Sequence, residues 1–486
     1  MTLLGLILVP LIIQGYSIEA YGIIMIARFF IPLFLMSVID FGLGEITSIA
    51  VSSYRENRKK YFLKNKLLII FILLLLIGII AGFFLFLLSS QIPSLFSLSG
   101  ENYDNFSSLI KYTSFLQPIL FLLLFFEGIL KGFEKFLPLR IIELFSSIIY
   151  FLLALYFLQA NLNFIYIAYA FLISLFFRFL FSLFSAIYLL KNRNLGYFLF
   201  NKKDIYWIKE RGFEFFKNRL INNIQPYFGS FTVSILIGPI ALGLYDAIIR
   251  LARLGKVFIG VMVSSAIPVS ARLFSRDDDQ TFANIGGNGS LVLSIICTYP
   301  IIFIIFFSDM ILGIWLGDEF SQYGIWLSIM MIVPLISSIN GFLQTLLVAD
   351  KQAFKRYNSL IFFQTIFQIF FSLIIFFFLD LSFYSFILGQ TFASIVVAVP
   401  IFNLTREVLK TPHDFNLSLF TNLLTSSIFS LILFILFGEL VKANILIAMA
   451  VFLISFLLII FINIFFIIPT ASRNEFFNFV KINFKS

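Results

Sequence analysis

Apolar runs of about 20 residues recur along nearly the whole 486-residue chain, separated by short polar turns. A helical run of that length crosses the hydrocarbon core of a bilayer. A lipid-exposed backbone must also satisfy its own hydrogen bonds, so such runs select helices over a barrel of short alternating strands. The charge content agrees: 12% of the residues are charged, against about 25% in ordinary globular domains. The chain therefore reads as an all-α polytopic membrane protein. Its expected spans lie near 1–16, 20–47, 66–90, 109–131, 139–160, 163–190, 219–237, 242–270, 286–308, 322–348, 358–379, 383–408, 418–437 and 443–468. The first is short, so either tilt or bilayer thinning completes it, or the start lies further upstream.

Loop charge sets the expected orientation. Alternate turns and the C-terminal tail together hold 27 of the 34 basic residues, with the largest groups in 51–66 and 191–219. The opposite turns hold Lys111 and Lys442 and eight acids, among them Glu101, Asp104, Asp318 and Glu319. This bias places the basic loops and both termini in the cytoplasm. It also accounts for the net charge of +9 without nucleic acid. No cleavable signal peptide is expected, because residues 3–13 lack a basic flank and a small-residue cleavage site. The 191–218 stretch divides six spans from eight, giving segments 1–190, 191–218, 219–408 and 409–486. NKKDIYWIKERGFEFF within that stretch mixes basic and aromatic residues, as an interfacial helix or as a solvated linker.

Several chemistries find no support. Cys297 and His413 are each the sole residue of their type, so neither a disulfide, a metal cluster nor histidine catalysis is expected. No cofactor is expected. Asn284-Ile285-Gly286-Gly287-Asn288-Gly289 resembles a phosphate loop, but no lysine follows it and no strand precedes it. The 69 phenylalanines are read as lipid-facing side chains.

The second half begins as the first does. Gly15-Tyr16-Ser17-Ile18-Glu19-Ala20-Tyr21 leads into a helix carrying Arg28, and Gly238-Pro239 through Tyr245 leads into one carrying Arg250 and Arg253. Both turns lie on the same expected side, so the repeat is parallel. Five basic residues fall inside spans: Arg28, Arg178, Arg250, Arg253 and Lys256. A basic residue at mid-bilayer costs roughly 2.5–3.5 kcal/mol on insertion scales and normally faces a protein cavity. At 100° per residue, Asp246, Arg250, Arg253 and Lys256 share about a third of one helix circumference. One acid cannot neutralise three bases there. Two readings stay open. The bases bind a phosphate-bearing ligand, which suits the planar donor fork of arginine, or they pair with Asp40, Glu45, Glu127 or Glu143. Asp40, Glu45 and Asp246 are candidates for ion coupling or ion pairing. Asn222, Asn223, Gln225, Asn340 and Gln344 are candidate sugar contacts.

The order of an N-terminal span, the turn Glu19-Ala20-Tyr21-Gly22, a span with an arginine, then Asp40-Phe41-Gly42-Leu43-Gly44 and a basic loop resembles the Wzx-type polysaccharide repeat-unit flippases of the MOP superfamily. The resemblance in layout covers the whole chain, with its specific motifs in the first 60 residues. It implies two pseudo-symmetric six-helix lobes around a central cationic cavity in the bacterial inner membrane, to which the fourteen spans expected from the apolar runs add a C-terminal helix pair. It implies that the substrate is an undecaprenyl-pyrophosphate-linked glycan of O-antigen or capsule type. It also implies membrane lipid and the polysaccharide polymerase and chain-length proteins as partners. Arg28, Arg250 and Arg253, with Lys256 and Arg178, would hold the pyrophosphate. A MurJ-like lipid II flippase and a MATE-type antiporter are the alternatives in transport. A membrane glycan polymerase or glycosyltransferase is the alternative in catalysis.

Overall fold

The computed structural model describes residues 2–31, 39–57, 60–191, 202–264, 279–347, 350–409, 413–443 and 445–467. All regular structure among them is helical. Two compact units divide the chain, Met1–Asp246 and Ala247–Ser486.

The first unit comprises α1 (Thr2–Gly15), α2 (Ile18–Phe29), α3 (Leu43–Asn57), α4 (Lys60–Leu88), the short α5 (Ile92–Leu95), α6 (Gly100–Gly132), α7 (Phe136–Gln159), α8 (Ile165–Lys191) and α9 (Lys202–Leu236). Helix α10 (Pro239–Ser264) begins in it. The 33-residue α6 is its axis, with α3, α4 and α8 packed against it. Helices in lipid gain no hydrophobic free energy from meeting one another, so close approach through small residues must hold them. Two G-x-x-x-G pairs supply that approach. A Cβ at Gly82 of α4 would lie 2.4 Å from the Ser114 carbonyl oxygen of α6. One at Gly128 of α6 would lie 2.5 Å from the Gly44 carbonyl oxygen of α3. Their companions, Gly78 and Gly132, sit as close to Pro118 and Val51.

The second unit holds α11 (Asp279–Phe306), α12 (Ser308–Leu316), a 3-10 turn (Asp318–Tyr323), α13 (Gly324–Leu346), α14 (Lys351–Leu379), α15 (Tyr384–Leu409), α16 (His413–Ala443) and α17 (Ile445–Ile462), extended by a π turn (Asn463–Ile467). The neighbour order repeats between the units. In the first, α4 lies beside α6, α6 beside α8 and α8 beside α7; in the second, α11 lies beside α13, α13 beside α15 and α15 beside α14. The last two helices dock on α11. Asn422 Nδ2 donates to Ser294 Oγ at 2.7 Å, and Tyr299 OH donates to Ser455 Oγ beside the stacked rings of Phe452 and Phe456.

Ten helices among the described residues are long and apolar enough to cross a membrane. Each of the four other expected spans contains helix among its described residues, but they differ from those ten for physical reasons. Helix α1 is short, and α9 and α10 carry the polar and charged residues singled out above. The expected 20–47 span is not one helix. Helix α2 stops at Phe29, where the Phe30 and Ile31 N–H groups turn back to the Ala27 and Arg28 carbonyls at 3.4 and 3.2 Å. Pro32 follows in sequence and has no N–H to continue the ladder. The Asp40–Gly44 motif, which falls inside that expected span, instead leads into α3. Phe41 and Gly42 take positive φ of 51° and 73°, and Asp40 Oδ1 accepts the Gly42 N–H at 2.9 Å.

Candidate functional site

The turns that open the two similar segments meet within the first unit. Ser17 Oγ accepts the Ala20 N–H at 3.1 Å and caps α2. Tyr21 OH then donates to Asp246 Oδ2 at 2.5 Å, both side chains being buried. The start of α10 lies against the start of α2 so closely that a Cβ on Gly22 would fall 1.9 Å from the Pro239 carbonyl oxygen, and one on Gly243 2.5 Å from that of Ile18. The Tyr-Gly pair of the sequence motif thus has a steric and a polar reason.

One and a half turns beyond Gly22, Arg28 occupies the last turn of α2, where a cation suits the helix dipole. Its Nη2 donates to Tyr150 OH of α7 at 3.1 Å, and Nη1 lies 3.7 Å from Met25 Sδ. The guanidinium carbon sits 4.8 Å from the Phe171 ring centroid of α8 and 5.7 Å from that of Tyr150. The two rings themselves meet edge to face. Cation–π attraction of this kind contributes about 0.5–2 kcal/mol, the larger figure where water is excluded. Arg28 is half-buried, and its Nε finds no partner among the described residues. No carboxylate stands among its contacts there. A crevice of about 10 Å³, room for one water, opens beside it between Ile24, Leu109, Thr113 and Leu172. At the break just beyond, the buried Gln117 of α6 donates Nε2 to the Phe30 carbonyl at 2.6 Å, occupying an acceptor the helix end exposes.

Arg178 has a different setting. Its Nε donates to Glu127 Oε1 at 2.5 Å and its Nη2 to Glu143 Oε1 at 3.0 Å, joining α8 to α6 and α7. Glu143 also takes Arg140 at 2.6 Å. The guanidinium expected as a weaker pyrophosphate ligand is therefore committed to two carboxylates, both among the partners anticipated for ion pairing. Asp40, fully buried, accepts the Gly42 N–H at the entry to α3. Glu45 is half-buried in the first turn of α3.

Along α10, Asp246 is buried, Arg250 and Arg253 are half-buried and Lys256 is exposed, all on one face. Among the sugar candidates, Gln225 is half-buried and Asn340 buried, while Gln344 Oε1 accepts Tyr357 OH at 3.3 Å. The side chains of Asn222 and Asn223 lie outside the described residues. Tyr150, Phe171 and Gln117 were not anticipated. Among 69 phenylalanines and 19 tyrosines no local pattern marks the pair that faces an arginine.

The helical fold is shared with solved structures of membrane transporters. The structure superposes on one described as the lipid II flippase MurJ in an inward closed conformation, with TM-score 0.66, 18% identity, and 94% of this chain and 98% of that one covered. It superposes on an inward-facing multidrug resistance MATE family transporter of the MOP superfamily with TM-score 0.64, 17% identity, and 84% and 95% coverage. A MOP superfamily transporter from Pyrococcus furiosus, described as having reversed pocket polarity, matches at TM-score 0.51 and 17% identity over 84% and 95%. No curated protein matches the chain by sequence. The model of the polysaccharide biosynthesis protein family matches residues 1–274. The chain belongs to that family.

Proposed function

We propose that the chain is a flippase that carries undecaprenyl-pyrophosphate-linked oligosaccharide repeat units from the cytoplasmic to the outer leaflet of the bacterial inner membrane, for O-antigen or capsule-type polysaccharide. The observation that carries this reading is Arg28. It is a half-buried cation at an interrupted membrane helix, held by aromatic rings and a tyrosine hydroxyl, with no carboxylate among its described contacts. A cation so placed favours an anionic ligand, and a planar donor fork suits phosphate oxygens. Arg250, Arg253 and Lys256 of α10 are the further bases expected from the sequence to hold such a ligand. Membership of a polysaccharide biosynthesis family, and a fold shared with a lipid II flippase, direct the anion toward a lipid-linked sugar diphosphate. In this reading fourteen spans form two six-helix lobes and a C-terminal pair, with both termini cytoplasmic. Access alternates between the two membrane faces, and the chain makes or breaks no covalent bond. Gln225 and Gln344 contact sugar, and a polymerase takes up the product.

The test is surface glycan in a deletion strain complemented with Arg28→Ala, Arg28→Lys or the unchanged chain, with membrane insertion checked for each. Loss of glycan in Arg28→Ala, with partial recovery in Arg28→Lys, is expected. Full glycan in Arg28→Ala refutes the anion assignment. The MATE-like fold keeps a second reading, export of a small cationic compound. Accumulation of a cationic dye in the deletion strain, with surface glycan normal, would establish it instead. Rescue of a lipid II flippase depletion would narrow the glycan to the peptidoglycan precursor.

A further inference from the structure

A second feature lies at the other end of the first unit and is independent of the transport reading. Helix α9 has 35 residues, about 52 Å at 1.5 Å per residue, well beyond the ~30 Å of a hydrocarbon core. Its opening turns therefore run through the headgroup layer on the basic side of the chain. There Trp207 lies half-buried against the cluster containing Leu63 and Leu67 of α4. Lys66 Nζ sits 3.9 Å from the Trp207 ring centroid, a cation–π contact between two helices. Lys66 is near the start of the apolar stretch Leu63–Leu88, which sets its depth at the membrane surface.

Lys202, Tyr206 and Glu210 recur every four residues on one side of α9, and with Trp207 they line an open groove of about 540 Å³. Tyr206 is 67% exposed, so its ring is available to a ligand rather than used in packing. The groove thus presents an ammonium at one end, a carboxylate two turns away and two aromatic faces between them. A singly anionic headgroup held at Lys202 would bring no cation for the Glu210 carboxylate at the other end. A headgroup carrying both a phosphate and an amine satisfies both ends. We propose that this groove binds the headgroup of an amine-bearing phospholipid, such as phosphatidylethanolamine. Its phosphate lies toward Lys202 with Lys66 alongside, its ammonium lies on Glu210, and the ethylene link between them lies over Tyr206 and Trp207.

The full chain contains three tryptophans, so Trp315→Phe with Trp326→Phe leaves Trp207 as the sole reporter. Delipidated protein in detergent is titrated with dihexanoyl phosphatidylethanolamine, dihexanoyl phosphatidylglycerol or inorganic phosphate while Trp207 fluorescence is followed. A saturable change with phosphatidylethanolamine is expected, with phosphatidylglycerol weaker by roughly fivefold or more and inorganic phosphate silent. Glu210→Gln reduces that preference to below about twofold, and Lys202→Ala weakens phosphatidylethanolamine by roughly fivefold. Both residues are exposed, so these substitutions leave the fold intact; size exclusion verifies this. Equal responses to the two lipids overturn the proposal. So does a preference retained in Glu210→Gln, or a response to inorganic phosphate matching that to the lipid.

Discussion

Replacing Arg178 with methionine tests whether this intramembrane base serves the fold or the ligand. In the intact chain its side chain is 8% exposed and Glu127, its closer partner, 4%. Glu143 is 23% exposed and keeps Arg140 after the substitution. Arg178→Met therefore leaves one buried, unpaired carboxylate, Glu127. Deleting one member of a buried pair typically costs about 3–5 kcal/mol, because the remaining charge must either stay desolvated or take up a proton. Restoring neutrality with Glu127→Gln in the same chain removes most of that penalty. The double variant should lie within about 1 kcal/mol of the parent, giving a coupling of about 2 kcal/mol or more. Unfolding in mixed micelles across the four-member cycle measures it, and surface glycan in the complemented strain measures function beside it. The expected result is an unstable Arg178→Met, a rescued double variant and export retained by the double. If Arg178→Met is as stable as the parent, or if Glu127→Gln fails to rescue it, the structural assignment of the ion triad is wrong. A stable double variant that exports nothing would return Arg178 to the ligand.

Other outcomes follow from contacts of the same kind. Gly128→Val places side-chain atoms where the Gly44 carbonyl and Thr47 already lie, so α3 must move off α6 at about 1–3 kcal/mol or more, read as a lower melting temperature in detergent; Gly438→Val, with no contact that close, serves as the tolerant control. Tyr21→Phe removes the buried bond to Asp246 and should destabilise the chain by about 1–3 kcal/mol, less when combined with Asp246→Asn than the two single effects summed. Glu134, in the turn after α6, has its carboxyl held below the usual range by its bond to Arg55. A depressed carboxyl stabilises the fold above its unfolded pKa and loses that contribution as pH falls through the folded value. The melting difference between parent and Glu134→Gln should therefore shrink on acidification from neutral pH toward pH ~3, and a difference constant across that range would refute the pairing.

Much of the architecture was legible before any coordinates. Apolar run length gives helices and nothing else, because lipid offers the backbone no partner, and the likeness of 15–28 to 238–253 anticipates two helices of matching place. What needed tertiary structure was the outcome for each charge. Arg28 and Arg178 look alike in sequence, each a lone base in an apolar helix. Yet Arg178 meets carboxylates brought by α6 and α7, while Arg28 meets two aromatic rings and a hydroxyl. Neither partner set is local: Glu127 and Glu143 lie 51 and 35 residues from Arg178, and Tyr150 lies 122 residues from Arg28. The break in the second span is similar. Pro32 marks it, but Gln117, which accommodates the freed carbonyl, sits 87 residues away. Periodicity and run length report what each segment does with solvent or lipid, so the sequence alone settles the helical membrane class. Pairing depends on which helices become neighbours, and only the packing of α2, α6, α7 and α8 decides that.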